Sequence, residues 1–369
     1  MRIRPKIRHR HVICGAALAL AGSAASAQSA VTLYGELDAG FAYVNNVADH
    51  AQYRLTSGLI DGSYWGLQGS EDLGGGAKAI FRLERGYSVA TGEGFNDHPF
   101  YVGLGTDTLG TLTLGHQYDS IHDYFAPFTL TGGTGGTAFA HIFDNDNANN
   151  SFLAANSVKY TSETYGGFSF GGMYAFSNAA GQFANNRAYS VGANYSAGPF
   201  NAGAAYLHNN GRGNTTTGAY DSLTLPGADG TVIAANVQRQ NTFGVGASYA
   251  IGDFTVAGAF SRSINSGVTN ADTGEAAGSI ALSNYEINGI YQLTPALALA
   301  GNYVYTNGGG AHWHQGAIQA DYSLSKRTDV YLESLYQRAS SGAPAVINTN
   351  DPASGRNQLM IATGIRHRF

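Results

Sequence analysis

The chain has 369 residues, of which only 12% are charged, about half the share usual in soluble domains. No apolar run reaches about 18 residues, which excludes a helical membrane protein. Once the five basic residues of the leader are set aside, 15 Lys plus Arg face 25 Asp plus Glu, a net charge near −10. That balance argues against nucleic acid as a partner.

Residues 1–27 read as a secretory signal peptide. Arg2, Arg4, Lys6, Arg8 and Arg10 form a basic n-region, Val12 to Ala21 a short apolar stretch, and Ala25-Ser26-Ala27 a small-residue cleavage site. The expected mature start is Gln28, with residues 28–369 as one domain. Cys14 is the only cysteine and lies inside the leader. Apolar residues follow it, so a lipoprotein site is rejected. The exported chain is expected to fold without a disulfide.

From Val31 onward, short segments alternate apolar and polar side chains with the period of a strand. In the first, Leu33, Leu37 and Phe41 oppose Tyr34, Glu36 and Asp38. In the second, Trp65 and Leu67 oppose Tyr64, Gly66 and Gln68. In the third, Ala79, Phe81 and Leu83 oppose Lys78, Ile80, Arg82 and Glu84. Sixteen strands are expected, at 31–43, 62–70, 77–87, 98–105, 111–116, 156–163, 167–176, 188–197, 200–209, 241–250, 254–262, 283–292, 297–306, 314–323, 328–338 and 358–369.

The connections alternate short and long. Asp72 to Gly76, Asp107 to Gly110, Ala197-Gly198-Pro199, Gly252-Asp253 and Thr294-Pro295 are tight-turn sequences. The stretches 44–61, 117–155, 210–240, 263–282 and 339–357 are rich in Asn, Gly, Thr, Asp and Ser. Short turns at one end and long loops at the other, with 51 Gly and 23 Tyr, read as an all-β, sixteen-stranded antiparallel transmembrane barrel. A soluble two-layer β protein alternates in the same way, but its outward face would carry more charge than this chain has. Tyr43, Tyr87, Tyr165, Tyr195, Tyr249 and Tyr305 sit near strand ends and suit interfacial girdles. The last strand alternates to the end of the chain at Phe369.

Several blocks together carry a family resemblance. They are Val31-Thr32-Leu33-Tyr34-Gly35, Trp65 to Gly76, Ala79-Ile80-Phe81, Leu112-Thr113-Leu114-Gly115 with Gln117-Tyr118-Asp119, and Thr363 to Phe369. The combination resembles the general diffusion porins of β-proteobacterial outer membranes. The resemblance implies a trimer of barrels in the outer membrane, short periplasmic turns, long outer loops, and a third long loop folded into each barrel to narrow it. The implied partners are a second and third copy of the chain, outer-membrane lipid and lipopolysaccharide, and small hydrophilic solutes.

The longest connection, 117–155, carries Asp119, Asp123, Asp144 and Asp146 and no Lys or Arg. Bent into the lumen, it would set these carboxylates against a basic strip and create a transverse field. Lys78 and Arg82, with Glu84 on the same face, are the expected wall. Arg54 is a looser candidate. Relatives of this kind often have Arg where Tyr64, Gln68 and His116 stand here, so the basic wall is expected to be thin and the eyelet cation-leaning. His116 titrating near neutrality would add a pH response, although a solvated strand-end His is preferred. Replacing Asp119 and Asp123 with Asn is expected to lower the cation preference.

Other chemistry finds little support. Asp144-Asn145-Asp146-Asn147 opens like a calcium loop but lacks the Gly and the final acid, with Asn149 and Ala155 in their places. His312 and His314 flank Trp313 without an evident third metal ligand. No nucleophile motif marks an enzyme, and no cofactor is expected. The expected function is passive diffusion of small hydrophilic solutes and ions. A substrate-specific channel and a barrel-anchored adhesin or receptor are the alternatives.

Overall fold

The structure is a computed structural model that describes residues 30–211, 223–226 and 231–369. The expected signal peptide, its cleavage site and Cys14 lie outside the described residues, as does part of the expected 210–240 loop.

The described chain is almost entirely strand: β1 (Ala30–Val47), β2 (His50–Ser57), β3 (Tyr64–Gly74), β4 (Ala77–Tyr87), β5 (Gly94–Phe95), β6 (Phe100–Thr106), β7 (Gly110–Gln117), β8 (Ala154–Thr161), β9 (Phe168–Ala175) and β10 (Ala188–Ala197). There follow β11 (Phe200–Asn210), β12 (Thr224–Pro226), β13 (Val232–Ile251), β14 (Phe254–Asn270), β15 (Ala276–Thr294), β16 (Leu297–Gly308), β17 (Ala311–Ser323), β18 (Thr328–Ala339) and β19 (Asn357–Arg368). Each strand pairs antiparallel with its neighbours. β19 returns to β1, from Glu36↔Arg368 to Val44↔Met360, and closes the sheet. Closure leaves no edge and satisfies the backbone inside a membrane.

These nineteen strands make sixteen staves. β2 and β3 both pair with β1, in the registers Ala39↔Ser57 and Glu36↔Tyr64, so they are halves of one stave split by residues 58–63. β5 and β12 are short ribbons on the outer loops. The gentle alternation of the sequence becomes an inverted protein: Leu33, Val102, Leu104, Ile318 and Leu332 are exposed on the outer wall, while Glu36, Asp38 and Glu333 are buried inside. An apolar exterior around a polar interior is the lipid–water wall of a transmembrane barrel, and it removes the soluble two-layer alternative. Tyr165, Tyr195 and Tyr249 are exposed near the short turns, whereas Tyr43, Tyr87 and Tyr305 are partly covered.

Three expectations need correction. The stretch 44–61 is not a long loop: β1 and β2 form a hairpin turned by Ala48 and Asp49, both at positive φ. β13, β14 and β15 run 17 to 20 residues, well past the expected 241–250, 254–262 and 283–292. The extra length of β14 is Ser, Thr and Asn-rich, while in β13 and β15 it turns Ile233, Ala235, Val237, Ile280 and Leu282 inward, so the apolar outer face that marks a membrane strand fades while the ladder continues. Finally, the expected 263–282 loop is mostly ladder, with residues 271–275 alone joining β14 to β15. The expected 339–357 loop stands; it folds back over the mouth and buries Ala343, Ala345, Val346 and Ile347.

Candidate pore constriction

The loop between β7 and β8 does not leave the barrel. It coils inside the wall as α1 (Ser120–Tyr124), α2 (Leu130–Gly133) and three short 3-10 turns. Asp119 caps α1 through Ile121 N–H at 2.5 Å, and Thr129 caps α2 through Gly132 N–H. The loop's apolar side chains Ile121, Tyr124, Phe125, Phe128 and Phe152 are buried against β9, β11 and their neighbours.

The wall makes room for them with glycine. A Cβ at Gly192 would stand 2.5 Å from Tyr124 Cδ2, at Gly244 2.5 Å from Phe125 Cδ2, and at Gly203 2.6 Å from Phe128 Cε2. These inward positions lack side chains because the loop's aromatic rings occupy that space. Further along, Thr137 N–H donates to Leu59 O at 2.9 Å, and Asn348 Nδ2 to Thr137 O at 2.8 Å. The loop is therefore clamped at its far end by the 58–63 excursion and by the last outer loop.

The four loop aspartates mostly turn away from the lumen. Asp119, Asp144 and Asp146 are fully buried. Asp119 accepts from Asn147 Nδ2 at 2.6 Å, and burial pushes its carboxyl up to about 6. Asp144 accepts from the N–H groups of Asn149 and Ser151. Burial and the charge of Asp146 raise it to about 6. Asp146 lies 2.6 Å from His141 Nδ1, whose Nε2 lies 3.0 Å from Glu286 Oε2. Burial opposes charge on His141, but Asp146 and Glu286 outweigh it and push the ring up to about 10. Burial likewise opposes the Asp146 charge, and His141 overcomes it, holding the carboxyl below the usual range. Asp123 is the one aspartate of the four that is partly exposed, and it is paired to Lys159 at 2.5 Å. His122 and Lys159 outweigh its burial and hold it below the usual carboxylate range.

The expected basic wall is dispersed. Arg82 faces inward and binds Glu84 Oε1 with Nε at 2.7 Å; Tyr34 OH donates to the same oxygen at 2.5 Å. Tyr64 packs against His98 at a tilt of 35°, ring centroids 4.6 Å apart, and Gln68 lies opposite Arg82 in the ladder. Lys78 sits beside the short turn and pairs with Asp107 at 3.4 Å, half exposed. Arg54 binds Asn350 Oδ1 at 2.6 Å in the outer mouth. His116 falls on the outward parity of Leu112 and Leu114, with Nε2 3.3 Å from Asn96 O. The structure thus brings Tyr34, Tyr64, Arg82, Glu84 and His98 into one group, and places Lys78, Arg54 and His116 elsewhere.

What lines the open passage is different. A cavity of about 660 Å³ lies between the loop and the wall; its charged lining is Asp61, Asp97, Asp321, Arg366 and Arg368. The two arginines are held by carboxylates: Arg366 Nε to Asp329 at 2.9 Å and Nη2 to Asp321 at 3.3 Å, Arg368 to Asp329 at 2.9 Å and to Glu36 at 3.1 Å. Asp61 sits exposed on the 58–63 excursion. Arg366 and Arg368 were not among the expected constriction residues; their signal was the alternation of the last strand, which sets both on the face opposite Ile365 and His367. Asp61 lay in the expected 44–61 connection beside the turn-forming Gly58 and Gly62, but one acid in an outer loop carries no sign that it faces the passage.

A closed barrel with a polar interior, an apolar exterior and a loop packed into its lumen defines a water-filled transmembrane channel. The chain belongs to the Gram-negative porin family, which matches residues 15–342. It is a porin of the outer membrane, and porins of this family are passive channels, not enzymes. An outer membrane porin of Bordetella pertussis is 26% identical over 97% of this chain and 99% of its own length. The anion-selective porin from Comamonas acidovorans superposes with a TM-score of 0.75 at 23% identity, covering 93% of this chain and 100% of its own. The trimer form of OmpT from Vibrio cholerae gives 0.65 at 16% identity, with 92% and 99% covered.

Proposed function

We propose that this porin is a homotrimeric pore for passive diffusion of small hydrophilic solutes and ions, with a preference for cations. The observation that carries the sign is the charge of the passage. Asp61 and Asp97 line it without a Lys or Arg partner among the described residues, and Glu36, Asp321 and Asp329 outnumber Arg366 and Arg368 by three to two. A low-dielectric wall around uncompensated carboxylates concentrates cations. The trimer rests on the resemblance to porins and on the trimer form of the Vibrio protein. The Comamonas porin is anion-selective by name, so the sign is the quantity to measure. Single-channel recording in a planar bilayer under a KCl gradient tests both parts. Conductance steps in groups of three with a cationic reversal potential are expected. An anionic reversal potential would overturn the cation preference and leave the pore standing. Absence of conductance from folded protein would favour a barrel-anchored receptor instead.

A further inference from the structure

The outer mouth has an apolar core of its own. The long-loop ends of β13 and β15 turn Ile233, Val237, Ile280 and Leu282 inward, into one cluster with Trp313 and Val346. The 339–357 loop is fixed over this core: Trp313 Nε1 donates to Pro344 O at 3.0 Å, and Gln337 Nε2 to Val346 O at 2.9 Å. Its turn at 347–350 reaches the inward loop, where Asn348 Nδ2 donates to Thr137 O. Between the two loops and the start of β13 lies a recess of about 470 Å³, lined by Phe143, Leu223, Val232, Val346 and residues 348–352.

Two residues of this lining are held in backbone that their side chains disfavour. Phe143 has φ 60° and ψ 12°, followed by Asp144 at φ 44°, and Thr349 has φ 72°. Turns with positive φ ordinarily take Gly or Asn at such positions. An aromatic and a β-branched residue there are strained outliers, and strain of this kind gathers where a site needs a particular side chain. Both line the same recess, from loops far apart in the chain. The Phe143 ring meets Trp313 edge-on, centroids 6.4 Å apart, and stays partly exposed.

The polar atoms of the lining are unspent. The Asp351 carboxylate, Asn348 Oδ1 and the Thr349 hydroxyl make no hydrogen bond or ion pair among the described residues. Asp351 is the one charged residue of the lining, and Arg54, bound to the adjacent Asn350 Oδ1 at 2.6 Å, offsets its charge.

We infer that this recess is a saturable subsite for a pyranose sugar, whose C–H face lies on the Phe143 ring and whose hydroxyls meet Asp351, Asn348 and Thr349. A nearly charge-balanced site gives no advantage to an ion of either sign. An apolar platform beside acceptors at fixed positions suits a neutral solute with one C–H face and a girdle of hydroxyls that both donate and accept. Both loops are anchored before the solute arrives, so little ordering is needed on binding. The inference rests on the reading of the chain as a pore for hydrophilic solutes and adds the class of solute that the outer mouth holds before passage.

Trp313 reports on the recess through Phe143, and Trp65→Phe leaves it as the single tryptophan. The test is a fluorescence titration of that variant, folded in a detergent without a sugar headgroup, with maltose, sorbitol and phenyltrimethylammonium. Maltose is expected to change the emission saturably, with a dissociation constant on the order of 1 mM. Sorbitol, which has the hydroxyls without the ring face, and phenyltrimethylammonium, an apolar cation, are expected to bind about tenfold more weakly or less. Phe143→Leu should weaken maltose about tenfold, and Asp351→Ala, on the exposed rim, at least threefold; heat-modifiable mobility on gels certifies that each is folded. No saturable response to maltose would overturn the inference. So would equal binding of sorbitol, tighter binding of phenyltrimethylammonium, which would assign the recess to an organic cation, or parent-like affinity in both variants. Fluorescence needs no current, so the two readings fail separately. Protein that binds maltose but does not conduct would sink the pore alone, and conducting protein without saturable binding would sink the subsite alone.

Discussion

His141 Nε2 lies 3.0 Å from Glu286 Oε2, a link across 145 residues that ties the inward loop to β15. The same ring binds Asp146 through Nδ1 at 2.6 Å, and Asp146 accepts from Ser261 Oγ of β14. All three ionisable groups are buried. A buried pair adds little against an apolar replacement, but removing one member leaves an uncompensated charge and costs about 3–5 kcal/mol. His141→Ala should therefore destabilise the barrel by roughly that amount and loosen the loop. Thermal unfolding and open-channel current noise are the readouts; a variant as quiet and as stable as the parent would show that the loop is held by its aromatic anchors alone.

The same latch has a pH window. His141 is raised to about 10, so its contribution is complete below the ordinary imidazole range and is lost as pH rises through about 10. Asp146 is held below the usual carboxylate range, so its contribution is complete above that range and is lost as pH falls below it. Asp119 and Asp144, both raised to about 6, act in the opposite sense: their contribution is full at acid pH and fades as pH climbs through about 6. Loop rigidity should be flat between about pH 7 and 9 and soften as pH rises through about 10, while at strongly acid pH the loss at Asp146 is offset in part by the gain at Asp119 and Asp144. Current noise recorded as a function of pH measures this, and His141→Ala should abolish the alkaline limb while the parent keeps it.

The architecture was legible because period-2 alternation survives in every membrane-level strand and because turn residues punctuate it. Trp65, Leu33 and Phe41 face outward as their parity required, and Glu36 and Asp38 inward. The constriction was far less legible. Position in the longest loop does not tell which face of the loop an aspartate takes, and capping, as at Asp119, uses the same residue type as a solvated pore charge. Arg54 and Lys78 were misplaced along the barrel axis rather than around it. Parity fixes the side of the wall but not the height, and Lys78 lies at the turn beside Asp107. The glycine floor at Gly192, Gly203 and Gly244 was written in the sequence as inward glycines, but its meaning needs the aromatic rings of a distant segment.

That floor yields its own prediction. Gly244→Ala places a methyl group against the Phe125 ring, where the Cβ would stand 2.5 Å from Cδ2. Overpacking of this kind costs about 1–3 kcal/mol. The ring must shift, and with it the loop that sets the bore. A changed unit conductance with an intact heat-modifiable barrel on gels is the expected result. The neighbouring outward change Val245→Ala, on the lipid face, should leave conductance at the parental value.

Selectivity separates two kinds of carboxylate. Asp61→Asn removes an exposed charge from the passage and should move the reversal potential toward the anionic side without loss of stability, since surface changes usually fall within about 0.5 kcal/mol. Asp329→Asn should shift it further, because Asp329 binds both Arg366, at 2.9 Å, and Arg368, at 2.9 Å. Without it the two guanidinium groups keep only Glu36 and Asp321 as partners, and the cluster passes from three carboxylates against two arginines to two against two. Asp144→Asn should leave the reversal potential where it is, since Asp144 is buried behind the loop and bound to backbone N–H groups. Reversal potentials of the three variants under one KCl gradient decide the matter. A shift for Asp144→Asn equal to that for Asp61→Asn would mean that the field in the passage is set by the buried loop charges, and that the exposed wall carboxylates merely sit beside it.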